Sequence, residues 1–283
     1  MGNLFDFSQA AQLLSLGFVQ TALIAGAVLG LVAGVLAPLI VARNMAFSVH
    51  ATAEIAFSGG AAALLLGISV GYGALGAAVI IAIVLGLLSR RDTERDSVIG
   101  VLLAFGLGVG VLLLSLYTGR SSNKFGLLVG QIVGVDSSSL ALLVGSSVVV
   151  LVVLAVIYRP LRFASVDREV AIARGVPDGW LTVVFAVLVG VATALGVQTV
   201  GSLLVMSLMI TPGAAANRVT ANPVLATVLS VVFAEVAIIG GIVLSLPTSV
   251  PVSPFVTAIS FVIYLACRAI GGVRTTPILA ART

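Results

Sequence analysis

Long apolar runs cut by short polar connections dominate the chain from residue 17 onward. A helix needs about 20 consecutive apolar residues to cross the hydrocarbon of a bilayer. Nine such segments can be drawn, near 17–42, 47–67, 72–89, 97–117, 139–158, 180–198, 200–217, 224–246 and 255–271. They are continuous and rich in Leu, Val, Ala and Gly, which predicts spanning helices and not the roughly ten-residue alternation of an outer-membrane barrel. The expected fold class is therefore an all-α integral membrane protein, a bundle of about nine transmembrane helices in a single domain over residues 1–283.

Composition agrees. Of 283 residues, 60% are hydrophobic and 8% charged, where a soluble domain carries roughly 25% charged residues. The net charge of +4 does not point to nucleic acid, because no basic face with interleaved aromatics exists and 13 of the 14 basic residues are Arg, most of them in connections between spans. Their positions set the orientation. With the N-terminus outside, Arg43, Arg90, Arg91, Arg95, Arg159, Arg162, Arg168, Arg174, Arg218, Arg268, Arg274 and Arg282 fall inside, and only Arg120 and Lys124 outside. That bias selects N-out and C-in. Pro160 is expected to stop the fifth span, and Pro212 to bend the seventh near its inner end. The opening stretch MGNLFDFSQAAQLLSLGF lacks a basic signal-peptide region and reads as an interfacial segment, while 118–138 is expected to fold partway back on the outer side. Cys267 has no partner for a disulfide and reads as a small apolar residue of the last span.

Several chemistries are absent. No G-x-x-x-x-G-K-[ST] occurs, so the chain is not itself a P-loop ATPase. The lack of G-x-S-x-G and H-E-x-x-H, with one histidine in all, argues against an intramembrane enzyme. The spacings Gly26–Gly30–Gly34 and Gly106–Gly110 are read as close helix packing only.

The candidate chemistry lies in RNMAFSVHATAEIAFSGG, at 43–60, where His50 precedes Glu54 by four residues and therefore shares its helical face. An ionisable group inside a span costs about 3 kcal/mol on insertion scales, so it normally faces a pathway or a partner. With the second span starting near Ala46, a rise of about 1.5 Å per residue puts His50 roughly 6 Å and Glu54 roughly 12 Å into the bilayer. Glu235, in FAEVAIIGG, falls near the middle of its own span. Two carboxylates and an imidazole would form a mixed nitrogen and oxygen site for zinc, manganese or ferrous iron, coordinated weakly enough to let the ion leave. The alternative is structural: His50 and Glu54 bond each other or the backbone, and Glu235 bonds a hydroxyl on another helix. For Thr52, Ser58, Gln198, Ser202 and Ser207, helix-to-helix hydrogen bonds are expected. Between the fifth and sixth spans, 167–174 reads as a short amphipathic helix ended by Gly175, either a docking feature or a solvated connector.

Three stretches resemble the permease subunits of zinc and manganese type ABC uptake systems. The region around His50 is similar to that family's Gly-Asp-Ala-Leu-Ser-His-Ala-x-x-Pro-Gly, and LLVGQIVGVD at 127–136 to its Phe-Gly-x-Ile-Leu-Gly-Val. The stretch 167–218 resembles Asp-x-x-x-Ala-x-x-x-Gly-Val followed by Val-Gly-x-Leu-Leu-Val-x-x-Leu-Leu-x-x-Pro-x-x-x-Ala. Within the first motif, His50 stands where the family has Asp, Glu54 where it has His, Val49 where it has Gly, and Ser58 where it has Pro. The resemblance implies a homodimeric, multi-pass permease of the cell inner or plasma membrane that is not itself an enzyme and holds no permanent cofactor. It implies a cytoplasmic ATP-binding subunit and an extracytoplasmic metal-binding protein as partners. It makes about 164–176 a coupling helix for the ATPase, carried by Asp167, Arg168, Glu169, Ala171, Arg174 and Gly175. The second and eighth spans are expected to line a central divalent-metal pathway through His50, Glu54 and Glu235. The rival reading is a secondary transporter driven by an ion gradient through protonation of Glu54 or Glu235, although no internal repeat accompanies it.

Overall fold

The computed structural model describes residues 16–88, 95–119, 137–202, 205–248 and 250–279; among them there are eleven helices and no strand. These are α1 (Gly17–Ala42), α2 (Ala46–Leu65), α3 (Val70–Leu88), α4 (Arg95–Leu116), α5 (Ser137–Val166), α6 (Arg168–Ala173), α7 (Asp178–Val200), α8 (Val205–Met209), α9 (Thr211–Val219), α10 (Pro223–Ser245) and α11 (Val252–Leu279). The expected interfacial segment at the N-terminus and the LLVGQIVGVD stretch lie outside the described residues.

By length and apolarity, seven of the described helices qualify as spans, α1, α3, α4, α5, α7, α10 and α11, rather than nine. The two expected spans that do not qualify differ in kind. α2 has 20 residues but carries Ser48, His50, Thr52, Glu54 and Ser58, all but His50 of them buried. A helix walled in by protein needs no apolar exterior. The expected seventh span, 200–217, is broken: Gly201 caps α7 at φ 90°, and α8 and α9 are separate helices of 5 and 9 residues. Pro212 does not bend a continuous span but begins α9, in the first turn where a missing N–H costs nothing. It also excludes the bond that residue 212 would otherwise give the carbonyl of Leu208.

Pro160 does not stop α5, which continues to Val166. Tertiary packing outweighs the lost bond, because Leu161 is fully buried and Ala164 is 5% exposed. α6 lies where a short helix was expected: the Asp167 carboxylate caps it, accepting from Val170 N at 3.0 Å, and Gly175 ends it at φ 80°. Asn222 caps α10 in the same way, accepting from Val224 N at 3.0 Å ahead of Pro223.

One end of the bundle gathers the ends of α1, α5 and α9 and the start of α10 around a cavity of about 280 Å³, lined in part by Ala42, Arg162, Ser165, Asn217, Thr220 and Pro223. This is the grouping of helix ends expected to share one face of the membrane. α2 packs chiefly on α3, α4 and α7, whereas α10 packs on α1, α9 and α11. The short helix α8 touches both α2 and α10.

Glycines make these contacts close. A Cβ added at Gly34 of α1 would lie 2.5 Å from Val231 Cα of α10, and one at Gly59 of α2 would lie 2.5 Å from the Gly73 carbonyl oxygen of α3. Backbone atoms cannot step aside as a flexible side chain can. Gly34→Val is therefore expected to destabilise the α1–α10 contact by about 1–3 kcal/mol, the usual cost of overpacking. A lowered midpoint of thermal unfolding for the detergent-purified protein would confirm this, and an unchanged midpoint would show that the two helices can separate without loss.

Candidate functional site

The chain leaves α1 through a tight turn in which Met45 N donates to Ile40 O at 2.9 Å and Asn44 adopts φ 52°. Asparagine tolerates this left-handed conformation better than most side chains. α2 follows at once, placing His50 one turn and Glu54 two turns along it. Glu54 is 2% exposed, and its Oε2 has no hydrogen-bond partner. His50 is half-buried, but its Nδ1 is likewise enclosed and unpartnered. The two residues therefore do not bond each other through these atoms. An enclosed polar atom left unsatisfied costs about 1–3 kcal/mol, more when charged.

Glycine brings α4 close to this part of α2. Gly106 of α4 lies so close to α2 that an added Cβ would come 3.0 Å from the Glu54 carbonyl carbon, and Gly110 faces Phe57. The Ser58 hydroxyl is shared between the Glu54 carbonyl, at 3.1 Å, and the Gly106 carbonyl across the helix contact. At the position where the resembling family carries Pro, this chain thus has a hydroxyl that joins α2 to α4.

Of the other polar residues expected to link helices, two more do so. Gln198 Nε2 donates to the Gly71 carbonyl at 3.3 Å, and Ser207 and Thr257 meet at 3.4 Å. Thr52 instead donates within α2, to the Ser48 carbonyl at 2.7 Å, and buried Ser202 Oγ has no partner. Glu235 stands on α10 over Gly30 of α1, where an added Cβ would come 2.9 Å from its Oε1. Among the described residues no three His, Cys, Asp or Glu side chains come together to hold a metal. One chain does not bring Glu235 to His50 and Glu54 as a single ligand set; α8 lies against both their helices.

The residues expected to couple the chain to a partner occupy α6 and its flanks. Asp167, Arg168, Glu169, Arg174 and Gly175 are exposed, and Ala171 alone is buried. Val170 and Ile172 are exposed to 43% and 54%.

Sequence reasoning missed Asp178, in the first turn of α7. Its carboxylate is 2% exposed, with Oδ1 accepting from Arg43 Nη2 at 2.9 Å and Oδ2 from Arg168 Nε at 2.8 Å. Arg43 also donates to Thr182 Oγ1 at 2.7 Å and to Ser165 Oγ at 3.3 Å. Removing one partner of a buried ion pair typically costs about 3–5 kcal/mol, because the other charge stays behind. Here the charge left behind would be Arg43, whose side chain is 9% exposed.

The chain is similar to the manganese transport system membrane protein MntC of Halalkalibacterium halodurans, with 31% identity over 87% of this chain and 84% of that protein. It is 30% identical to the manganese import system permease protein ScaB of Streptococcus parasanguinis over 70% of this chain and 71% of that protein. The fold superposes on that of PsaBC from Streptococcus pneumoniae in complex with Fab, with a TM-score of 0.83 at 22% identity, covering 93% of this chain and 95% of the other. The match to the ABC 3 transport family runs over residues 15–271. Taken with seven apolar helices of spanning length, that match shows the chain to be a multi-pass cell-membrane protein belonging to the ABC 3 transport family.

Proposed function

We propose that this chain is the membrane-spanning permease of an ATP-driven importer of divalent transition metal ions, with manganese the foremost cargo and zinc and ferrous iron its competitors. The observation that carries the reading is the pair of unpartnered atoms, Glu54 Oε2 and His50 Nδ1, enclosed along one helix of a chain whose relatives are named for manganese transport. One carboxylate and one imidazole suit a borderline ion such as Mn²⁺ or Zn²⁺. Two ligands cannot close a coordination shell, so the ion keeps water and can leave, as passage requires.

Glu235 supplies a second carboxylate on α10, which α8 also touches. The permease works as a pair of identical chains, opening to either side as a cytoplasmic ATP-hydrolysing subunit closes and reopens. That subunit docks on α6, where Glu169, Val170 and Ile172 are all exposed. An extracytoplasmic metal-binding protein delivers the ion. The chain itself performs no hydrolysis and needs no permanently bound cofactor. A carrier driven by an ion gradient is not favoured by the family match.

Loss of a direct ligand should cost at least as much as changes one shell further out, which typically cost about 10–100-fold. His50→Ala and Glu54→Gln are accordingly expected to lower manganese uptake by cells at least about tenfold at matched expression. Unchanged uptake of manganese, zinc and iron by both variants would remove α2 from the pathway. Reversing the charge at Glu169 with Glu169→Arg is expected to reduce recovery of the ATP-hydrolysing subunit with the affinity-purified permease. Undiminished recovery would make α6 a plain connector.

A further inference from the structure

We infer that Asp178 is a positioning residue that clamps α6 to the α1–α2 turn, so that a displacement of α6 is passed to the helix bearing His50 and Glu54. This rests on the proposed role of α6 as the docking helix of the ATP-hydrolysing subunit. α6 is lightly held by packing: its six residues contribute only Ala171 to the interior. Arg168 Nε, 2.8 Å from Asp178 Oδ2, ties it to the start of α7.

The other oxygen of the same carboxylate, Oδ1, accepts from Arg43 Nη2 at 2.9 Å. Arg43 caps the end of α1 and stands three residues before Ala46, with the Asn44 turn between. It reaches α5 through Ser165 at 3.3 Å and α7 through Thr182 at 2.7 Å. One buried carboxylate therefore joins a surface helix to the start of α2, using a different oxygen for each arginine. An amide in its place would keep the shape but present one acceptor oxygen and a donor to two cations.

The two arms can be separated. Arg168→Gln removes the exposed arm and leaves the Arg43–Asp178 pair intact, so the fold is kept; Asp178→Asn removes the charge from both arms and leaves one acceptor oxygen for two guanidinium groups. In proteoliposomes holding the permease with its ATP-hydrolysing subunit, each variant is expected to raise the ATP hydrolysed per manganese ion imported by about tenfold, within the range of coupling energies within one ion-pair network. The double variant should do no worse than the worse single one. Effects that multiply, or an unchanged ratio in both single variants, would overturn the inference by showing that Arg168 and Asp178 act separately or not at all.

A second readout needs no transport. Spin labels at Phe47→Cys and Glu169→Cys, in a Cys267→Ser background, should give a narrow distance distribution that Arg168→Gln and Asp178→Asn broaden and Asp178→Glu partly restores. Equal widths throughout would refute the clamp. If the parent complex imports no metal while the labels behave as expected, the transport reading fails and the clamp stands.

Discussion

Backbone contact through glycine is the constraint on which the rest of this structure depends. Gly59 against Gly73, and Gly106 and Gly110 against residues 54–58, bring α3 and α4 onto α2 too closely for side chains to intervene. Sealed in this way, a helix that is too polar to face lipid becomes an interior wall. Glu54 lies on this wall, 2% exposed, and its Oε2 has neither a protein partner nor contact with bulk water. Burying an uncompensated polar group opposes folding. Under the proposed function, a passing cation would offset that cost.

The opposite problem is solved at the end of the bundle where α1, α5, α6 and α7 meet. There the buried carboxylate of Asp178 has two guanidinium partners, and its bonds are short and directional. Such an ion cluster contributes little net stability over an apolar one, but it fixes geometry, because breaking the buried Arg43 arm strands a charge. One site is underbonded and the other fully bonded, and they lie at the two ends of a short path: Asp178, Arg43, the Asn44 turn, and the first two turns of α2. Under the proposed function the underbonded end takes up the ion, and under the proposed clamp the bonded end transmits force to it.

Much of this was legible in the sequence. Apolar run length located the long helices, and the glycine spacings in the first and fourth spans proved to be helix contacts at Gly30, Gly34, Gly106 and Gly110. The short helix after the fifth span was readable because its cap and its stop are local, an aspartate before and a glycine after. Prolines were harder. Pro160 and Pro212 each signal a break, yet whether a helix survives depends on packing that lies far away in sequence, as with Leu161, or on whether the proline falls in a first turn. Asp178 was invisible for the same reason. An aspartate following proline at the start of a span reads as ordinary helix-dipole chemistry, and nothing local shows that a partner 135 residues earlier turns it into a clamp. The depth of Glu235 also said nothing of its neighbours, which are those of α1 rather than of α2.

The central claim is that an imidazole on α2 ligates the transported ion, and the chain contains a single histidine. Any imidazole nitrogen coupled to a metal held by the permease must therefore belong to His50, provided the purification tag carries no histidine. Electron spin-echo modulation of Mn²⁺ added to the reconstituted permease should reveal one ¹⁴N coupling of imidazole type on a weak, saturable site. Saturable manganese whose echo shows oxygen ligands alone would contradict the account.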